Sequence, residues 1–229
     1  MSARPGVSES ALSPEASVRR VGRPRGRTSQ GAASRESIID AAAKVFARLG
    51  YDRARMADIV DASGLSKGSV YFHFDSKEAL AVAVLSARHD RWITDVRRTL
   101  DEIESGEARL RAILPAVLAL HDGDPDAWVI SRLTWALADQ PETRDVAASL
   151  TRRWIDVVAE IVRDAAREKG INIDASAVAT VVVGGFDGLK TTAAVLHSDD
   201  PDAAHEALVS AGRVWERMVF DLVLGPDLR

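Results

Sequence analysis

The chain contains no cysteine, which excludes a disulfide framework, a thiolate metal site and a cysteine nucleophile. Its five histidines (His73, His89, His121, His197 and His205) include no pair four residues apart and no H-E-x-x-H string. No metal site is expected, since such sites need their ligands on one helix face or in a tight cluster. The carboxylates are dispersed along polar helix faces, so no acid–base pair singles itself out and no enzyme activity is expected. No run of 18 or more apolar residues occurs, and the arginines near the start are followed by no apolar segment. The expectation is a chain without a membrane span or secretory signal, working in the cytoplasm and needing no cofactor.

Tyrosine is scarce too, at two residues against five tryptophans. Charge is plentiful but divided. Of 30 Lys+Arg and 34 Asp+Glu, 13 and 9 fall at or before Leu80, leaving 17 and 25 for the remainder. A basic front and an acidic rear suit a protein that presents one end to nucleic acid, because phosphate attraction is screened within about 8–10 Å.

The pattern of apolar residues is helical almost throughout, and the fold class expected is all-α. Ile38, Ile39, Ala42, Val45, Phe46 and Leu49 form one stripe of a first helix starting near Ser34 and stopped by Gly50. Met56, Ile59 and Val60 mark a short helix, Ser63-Gly64 a turn, and Ser66 the cap of another short helix reaching about Phe72. Asp75 and Glu78 have the spacing of a capping box for a long fourth helix towards Leu100. Beyond it the spacing gives helices over about 108–120, 127–138, 144–169, 174–196 and 201–224. Asp174 and Asp200 are their clearest caps, and Pro201 stands at a first helical position. Residues 184–188 (Gly-Gly-Phe-Asp-Gly) lie within a helical pattern and have no preceding strand, so they read as close helix packing and not as a phosphate loop.

Two short helices around Ser63-Gly64-Leu65, the second small and polar, have the form of a helix-turn-helix suited to the DNA major groove. Ser66, Lys67, Gly68, Ser69, Tyr71 and His73 are the candidate DNA contacts, with Gly68 permitting close approach; Val70 and Phe74 face inward. Lys77 is a further phosphate candidate. In the preceding tail, Arg23-Pro24-Arg25 resembles an AT-hook, and Arg23 and Arg25 are candidates for the minor groove. That tail leaves open a second reading, an architectural DNA-binding protein with no effector.

About 50 residues, from Ser34 to Leu85, resemble the DNA-binding domain of the TetR family of bacterial transcriptional regulators. The matching positions include Ile38, Phe46, Gly50-Tyr51, Ile59, Gly64, Ser66-Lys67-Gly68-Ser69, Tyr71, His73-Phe74 and Ser76-Lys77-Glu78. The string VYFHFDSKEALAVAVL is similar to the γ-butyrolactone-receptor-like branch of that family. Where the family usually has Thr or Ser before the second helix, this chain has Ala54 and Arg55, so Arg55 becomes the phosphate candidate there.

Residues 1–33, rich in Ser, Ala, Arg, Gly and Pro without helical periodicity, read as a basic, disordered arm, and the resemblance implies a helix-turn-helix domain (34–80) followed by a helical ligand-binding and dimerisation domain (81–229). It implies a homodimer that binds double-stranded operator DNA, most simply as a repressor released by a small-molecule effector, with the fourth helix carrying the signal. The last two helices would meet their copies, with Val182, Leu189, Leu208, Trp215, Met218 and Leu222 at the interface. The tryptophans of the middle helices point to a cavity for a small, largely apolar effector. Its candidate lining is His121, Trp128, Ser131, Trp135, Trp154 and Phe186, and Thr134 and Lys190 are further polar groups.

Overall fold

The computed structural model describes residues 29–123 and 128–225, leaving aside the side chains at 29, 121–123, 128, 201, 222 and 224. Arg23 and Arg25 lie outside the described residues, as do the side chains of His121, Trp128 and Leu222. Within the described residues the chain is all helix, with no strand.

Helix α1 (Ser29–Leu49) begins earlier than expected. Gln30, Ala32 and Ala33 favour helix, and Ser34 sits inside it, its hydroxyl donating to the Gln30 carbonyl at 3.0 Å. The helix start expected near Ser34 is therefore corrected to Ser29. Gly50 ends the helix at φ +75°, a left-handed conformation that favours glycine. Helix α2 (Met56–Ser63) closes on Gly64 at φ +66°, and α3 (Lys67–His73) follows at once.

Helix α4 (Lys77–Leu100) is capped by Ser76, whose Oγ accepts from the Ala79 amide at 3.1 Å. The capping box expected of Asp75 and Glu78 is thus replaced by a cap one residue later. Glu78 turns instead to the Tyr51 hydroxyl, which donates to it at 3.1 Å.

The rest of the chain is α5 (Gly106–Gly123), α6 (Trp128–Ala138), α7 (Arg144–Glu168), α8 (Ala175–Leu196) and α9 (Pro201–Leu224). Asp174 and Asp200 cap α8 and α9 as their positions in the sequence suggest. The start of α5 is held by the end of α7. The Glu168 carboxylate accepts from the amides of Gly106 (2.6 Å) and Glu107 (3.1 Å) and from the Ser105 hydroxyl (3.1 Å). A side chain on Gly106 would put its Cβ 2.6 Å from the Ala165 amide nitrogen, so only glycine fits this crossing.

Two apolar cores result. The second joins α4, α5, α7, α8 and α9 around Val96, Val158, Val162 and Ala179. The first contains Ile38, Phe46, Ile59, Val70 and Leu80 of α1 to α4. It also takes in Val129, Leu133 and Leu137 of α6, with Ala147 and Leu150 of α7. The helix-turn-helix unit therefore does not close its core at Leu80; α6 completes it. By length and composition α8 is apolar enough to cross a membrane, yet it packs against α7 and α9 and carries the buried Lys190.

Candidate nucleic-acid interface and ligand cavity

The turn between α2 and α3 is pinned by its own serines. The Ser63 hydroxyl donates to the Val60 carbonyl at 2.9 Å and accepts from the Leu65 amide at 3.2 Å. Ser66 caps α3, its Oγ accepting from Ser69 at 3.2 Å. The letters Gly64-Leu65-Ser66-Lys67-Gly68 also satisfy the G-x-S-x-G pattern of a hydrolase nucleophile, but they join helix to helix and Ser66 is a cap.

Val70 and Phe74 anchor α3 in the first core, as expected. The opposite side is exposed: Ser66, Lys67, Gly68 and Tyr71 face solvent, and Ser69 and His73 are half-buried. The Lys67 ammonium lies 5.7 Å from the Tyr71 ring centre. The sequence reading passed over Phe72, which is 69% exposed and packs edge-on against His73 at 5.2 Å. A phenylalanine left in water on a capped, polar helix was the signal available for it.

Arg55 and Lys77 fare differently. Arg55 stands at the N-cap of α2 with its side chain exposed; its amide, not its guanidinium, is engaged, donating to Asp58 at 2.8 Å. Lys77 is tied inward, its ammonium donating to the Tyr51 carbonyl at 2.9 Å and sitting 4.3 Å from the Tyr51 ring centre. It fastens α4 to the loop after α1. Burial, with the Glu78 charge and hydrogen bond adding to it, pushes the Tyr51 hydroxyl up to about 12.

The second site lies between α4, α6, α7 and α8. A hollow of about 70 Å³ is lined by His89, Trp92, Ser131, Thr134, Trp154 and Lys190, among others. Of the expected lining, Ser131, Trp154 and Phe186 are brought together here. Trp135 is not: it is 69% exposed and belongs to an open groove beside Gly184 and Gly188 of α8. Helical spacing puts Trp135 one position off Thr134, which is enough to turn it outward. The sequence reading missed His89, a polar residue among the apolar positions of α4.

Trp92 and Trp154 meet edge to face, ring centres 4.1 Å apart. Lys190 is buried, donates to Ser131 Oγ at 2.6 Å and lies 3.7 Å from the Asp187 carboxylate. Burial lowers its pKa from the usual lysine value, and Asp187 pulls it back up. His89 is driven down to about 4, mainly by burial, with the Arg153 charge adding to this and Asp90 opposing it. It is therefore neutral at pH 7. His89 Nδ1 and Trp92 Nε1 are buried and have no hydrogen-bond partner.

The expected dimer residues divide. Val182 and Leu208, expected at the dimer interface, are buried within the single chain. Trp215 is half-buried against Gly185 of α8 and Leu189 is half-buried, whereas Met218 is 66% exposed. Val181, Val195, Leu196 and Val214, not singled out from the sequence, are exposed on the same two helices.

Comparison with known proteins bears on both halves. Residues 38–84 match the family model for bacterial regulatory proteins of the tetR family, and residues 106–212 match that for the C-terminal part of BetI-type transcriptional repressors. The A-factor receptor protein of Streptomyces griseus is 51% identical over 49 residues, 21% of this chain and 18% of that one. The transcriptional activator FasR of Mycolicibacterium smegmatis is 35% identical over 94 residues, 41% of this chain and 43% of that protein. The chain thus spans less than half the length of either relative. Among solved structures, the full-length TetR regulator tylp of Streptomyces fradiae superposes with a TM-score of 0.59 at 30% identity, covering 82% of this chain and 85% of that one. With a reading helix at one end, a walled hollow at the other and both halves matched, the chain belongs to the TetR family of transcriptional regulators, a class of DNA-binding proteins and not of enzymes.

Proposed function

We propose that the chain acts as a homodimer that represses transcription from a palindromic operator and lets go when a small, largely apolar effector enters the hollow beside Trp92. The observation that carries the DNA half is the exposed face of α3. Lys67 and Tyr71 stand clear of the core while Val70 and Phe74 hold the helix in place. Phosphate contacts from such side chains fix orientation, and the glycine at 68 lets the backbone approach the duplex.

Dimerisation through α8 and α9 is supported by the exposed Val181, Val195, Leu196, Val214 and Met218. A two-fold axis there would set two copies of α3 one helical turn apart on the same face of the duplex. The work is done on DNA, hence in the cytoplasm.

Besides α4, helix α6 offers a route between the two sites. Ile130, Ser131 and Thr134 line the hollow, while Val129, Leu133 and Leu137 belong to the first core. Arg132 donates to the Ala47 carbonyl near the end of α1 at 3.2 Å. An effector that fits one position of α6 better than another biases the DNA-reading core by that difference in affinity.

The test is selection of duplexes from random oligonucleotides, followed by gel shift at fixed salt. A short inverted repeat should emerge. Lys67→Ala and Tyr71→Ala should each weaken its binding about tenfold, the loss of roughly one charge-assisted contact. Coating of A·T-rich DNA without an inverted repeat would point to architectural binding, and unchanged affinity in both variants would remove α3 as the reader.

A further inference from the structure

Helix α3 leaves one large apolar side chain in water. Phe72 is 69% exposed, while Val70 and Phe74 on the opposite side are buried. Residues four apart stand above one another on a helix, so Gly68 and Phe72 form one row of the outer face and Lys67 and Tyr71 the next. At Gly68 no side chain but Ser66 comes within 4.0 Å of where a Cβ would stand, so the helix is bare one turn before Phe72. The Phe72 ring leans on His73 instead, ring centres 5.2 Å apart and planes at 82°, which limits its swing.

A protein partner does not suit this surface. Among the described residues, the other large apolar side chains more than half exposed are Trp135, Val181, Val195, Leu196, Val214 and Met218, all on α6, α8 and α9. The exposed positions beside Phe72 are Lys67, Gly68 and Tyr71. They make a polar surface with one ring in it and no broad apolar patch.

The major groove does suit it. A helix of seven residues is about 10 Å long at about 1.5 Å per residue, and the groove is about 12 Å wide. Phe72 therefore falls within the groove whenever Lys67 does. Base edges there display donors, acceptors and a single apolar group, the C5-methyl of thymine. A phenylalanine ring has no donor or acceptor to offer them. Against guanine, adenine or cytosine it strips water from a polar edge and returns no hydrogen bond, which weakens binding. Against the methyl group both partners remove apolar surface from water.

We infer that Phe72 is the residue of α3 that reads a C5-methyl group. Each operator half-site carries thymine where this ring meets the groove, and 5-methylcytosine, with its methyl at the same place, is told apart from cytosine there. The inference rests on the reading of α3 as the helix that contacts DNA.

Gel shifts with the full chain at fixed salt, on the inverted repeat selected from random oligonucleotides, test it one methyl group at a time. Deoxyuridine replaces each thymine position in turn, in both half-sites together. One methyl is worth about fourfold in affinity, so losing the pair that faces Phe72 should weaken binding about fifteenfold. Phe72→Ala should weaken binding to the thymine duplex and remove this sensitivity to uracil, whereas Phe72→Leu, still apolar, should keep part of it. With cytosine at the same positions, 5-methylation should tighten binding about fifteenfold for the unaltered chain and not for Phe72→Ala. The side chain is exposed, so both variants should melt with the unaltered chain. If no thymine shows a uracil effect that depends on Phe72, or if Phe72→Ala binds as tightly as the unaltered chain, the inference falls. Lys67→Ala separates it from the wider reading. Weaker binding with Lys67→Ala but no uracil effect leaves α3 as the reader and removes the methyl contact. No selected repeat, or no loss with either alanine variant, removes both.

Discussion

The DNA-reading end and the cavity end of this protein treat buried polar atoms in opposite ways. Before Leu80, every buried side-chain nitrogen or oxygen among the described residues has a partner. Tyr51 bonds Glu78, and Lys77 is tied to the Tyr51 carbonyl. In the cavity half His89 Nδ1, Trp92 Nε1 and Trp215 Nε1 are buried without one. An unmatched buried donor or acceptor costs about 1–3 kcal/mol, so the first end is satisfied throughout while the second carries an uncompensated cost.

The sharpest way to break that contrast is at the helix the two ends share. Leu133→Ala, at a position 1% exposed in the first core, should cost about 3 kcal/mol through lost burial and the void it leaves. Because α6 belongs to both units, urea unfolding followed at both ends should move as one transition. Two separated transitions would show the ends to be independent.

Acid should find the cavity end first. His89 binds its proton at about 4 in the fold against an ordinary 6.5, so between these values the unfolded chain takes up more protons than the folded one. Stability is therefore fully present above pH 6.5 and declines as pH falls to about 4, by about 3 kcal/mol. His89→Phe should flatten that part of the profile of melting temperature against pH.

Smaller effects are expected where the DNA end is already satisfied. Lys77→Met should cost about 1 kcal/mol, the net worth of a hydrogen bond, and should change operator affinity no more than the loss of folded protein explains. A larger loss of affinity would restore Lys77 as a phosphate contact. The least change in stability belongs to Gly68→Ala. A Cβ there meets only Ser66 Oγ, at 4.0 Å, so stability should be unchanged or rise by up to about 1 kcal/mol from helix propensity, while gel shifts report weaker binding if the backbone approaches DNA here.

The same contrast explains what could be read from the chain beforehand. Helix α3 was legible because capping, turn chemistry and alternation of exposed and buried positions are all local, and Ser66, Val70 and Phe74 lie where those rules put them. The caps of α8 and α9 were legible for the same reason. The cavity depends on which of several apolar faces meets which neighbour. Trp135 and Trp154 look alike in sequence, yet one faces outward and the other lines the hollow. Val182 and Leu208 were expected at the dimer interface on the strength of the resemblance, since periodicity finds an apolar stripe without saying whether its partner is the same chain or another. Phe72 and His89 break the local pattern, one apolar among polar residues and one polar among apolar, and such breaks mark both sites.

The two sides of α6 have a practical consequence. Positions 130, 131 and 134 border the hollow, while 129, 133 and 137 are locked into the first core. On the function proposed above, libraries confined to the former trio would redirect ligand choice while keeping the output intact. Changes in the latter would alter how strongly binding is transmitted, whatever the ligand.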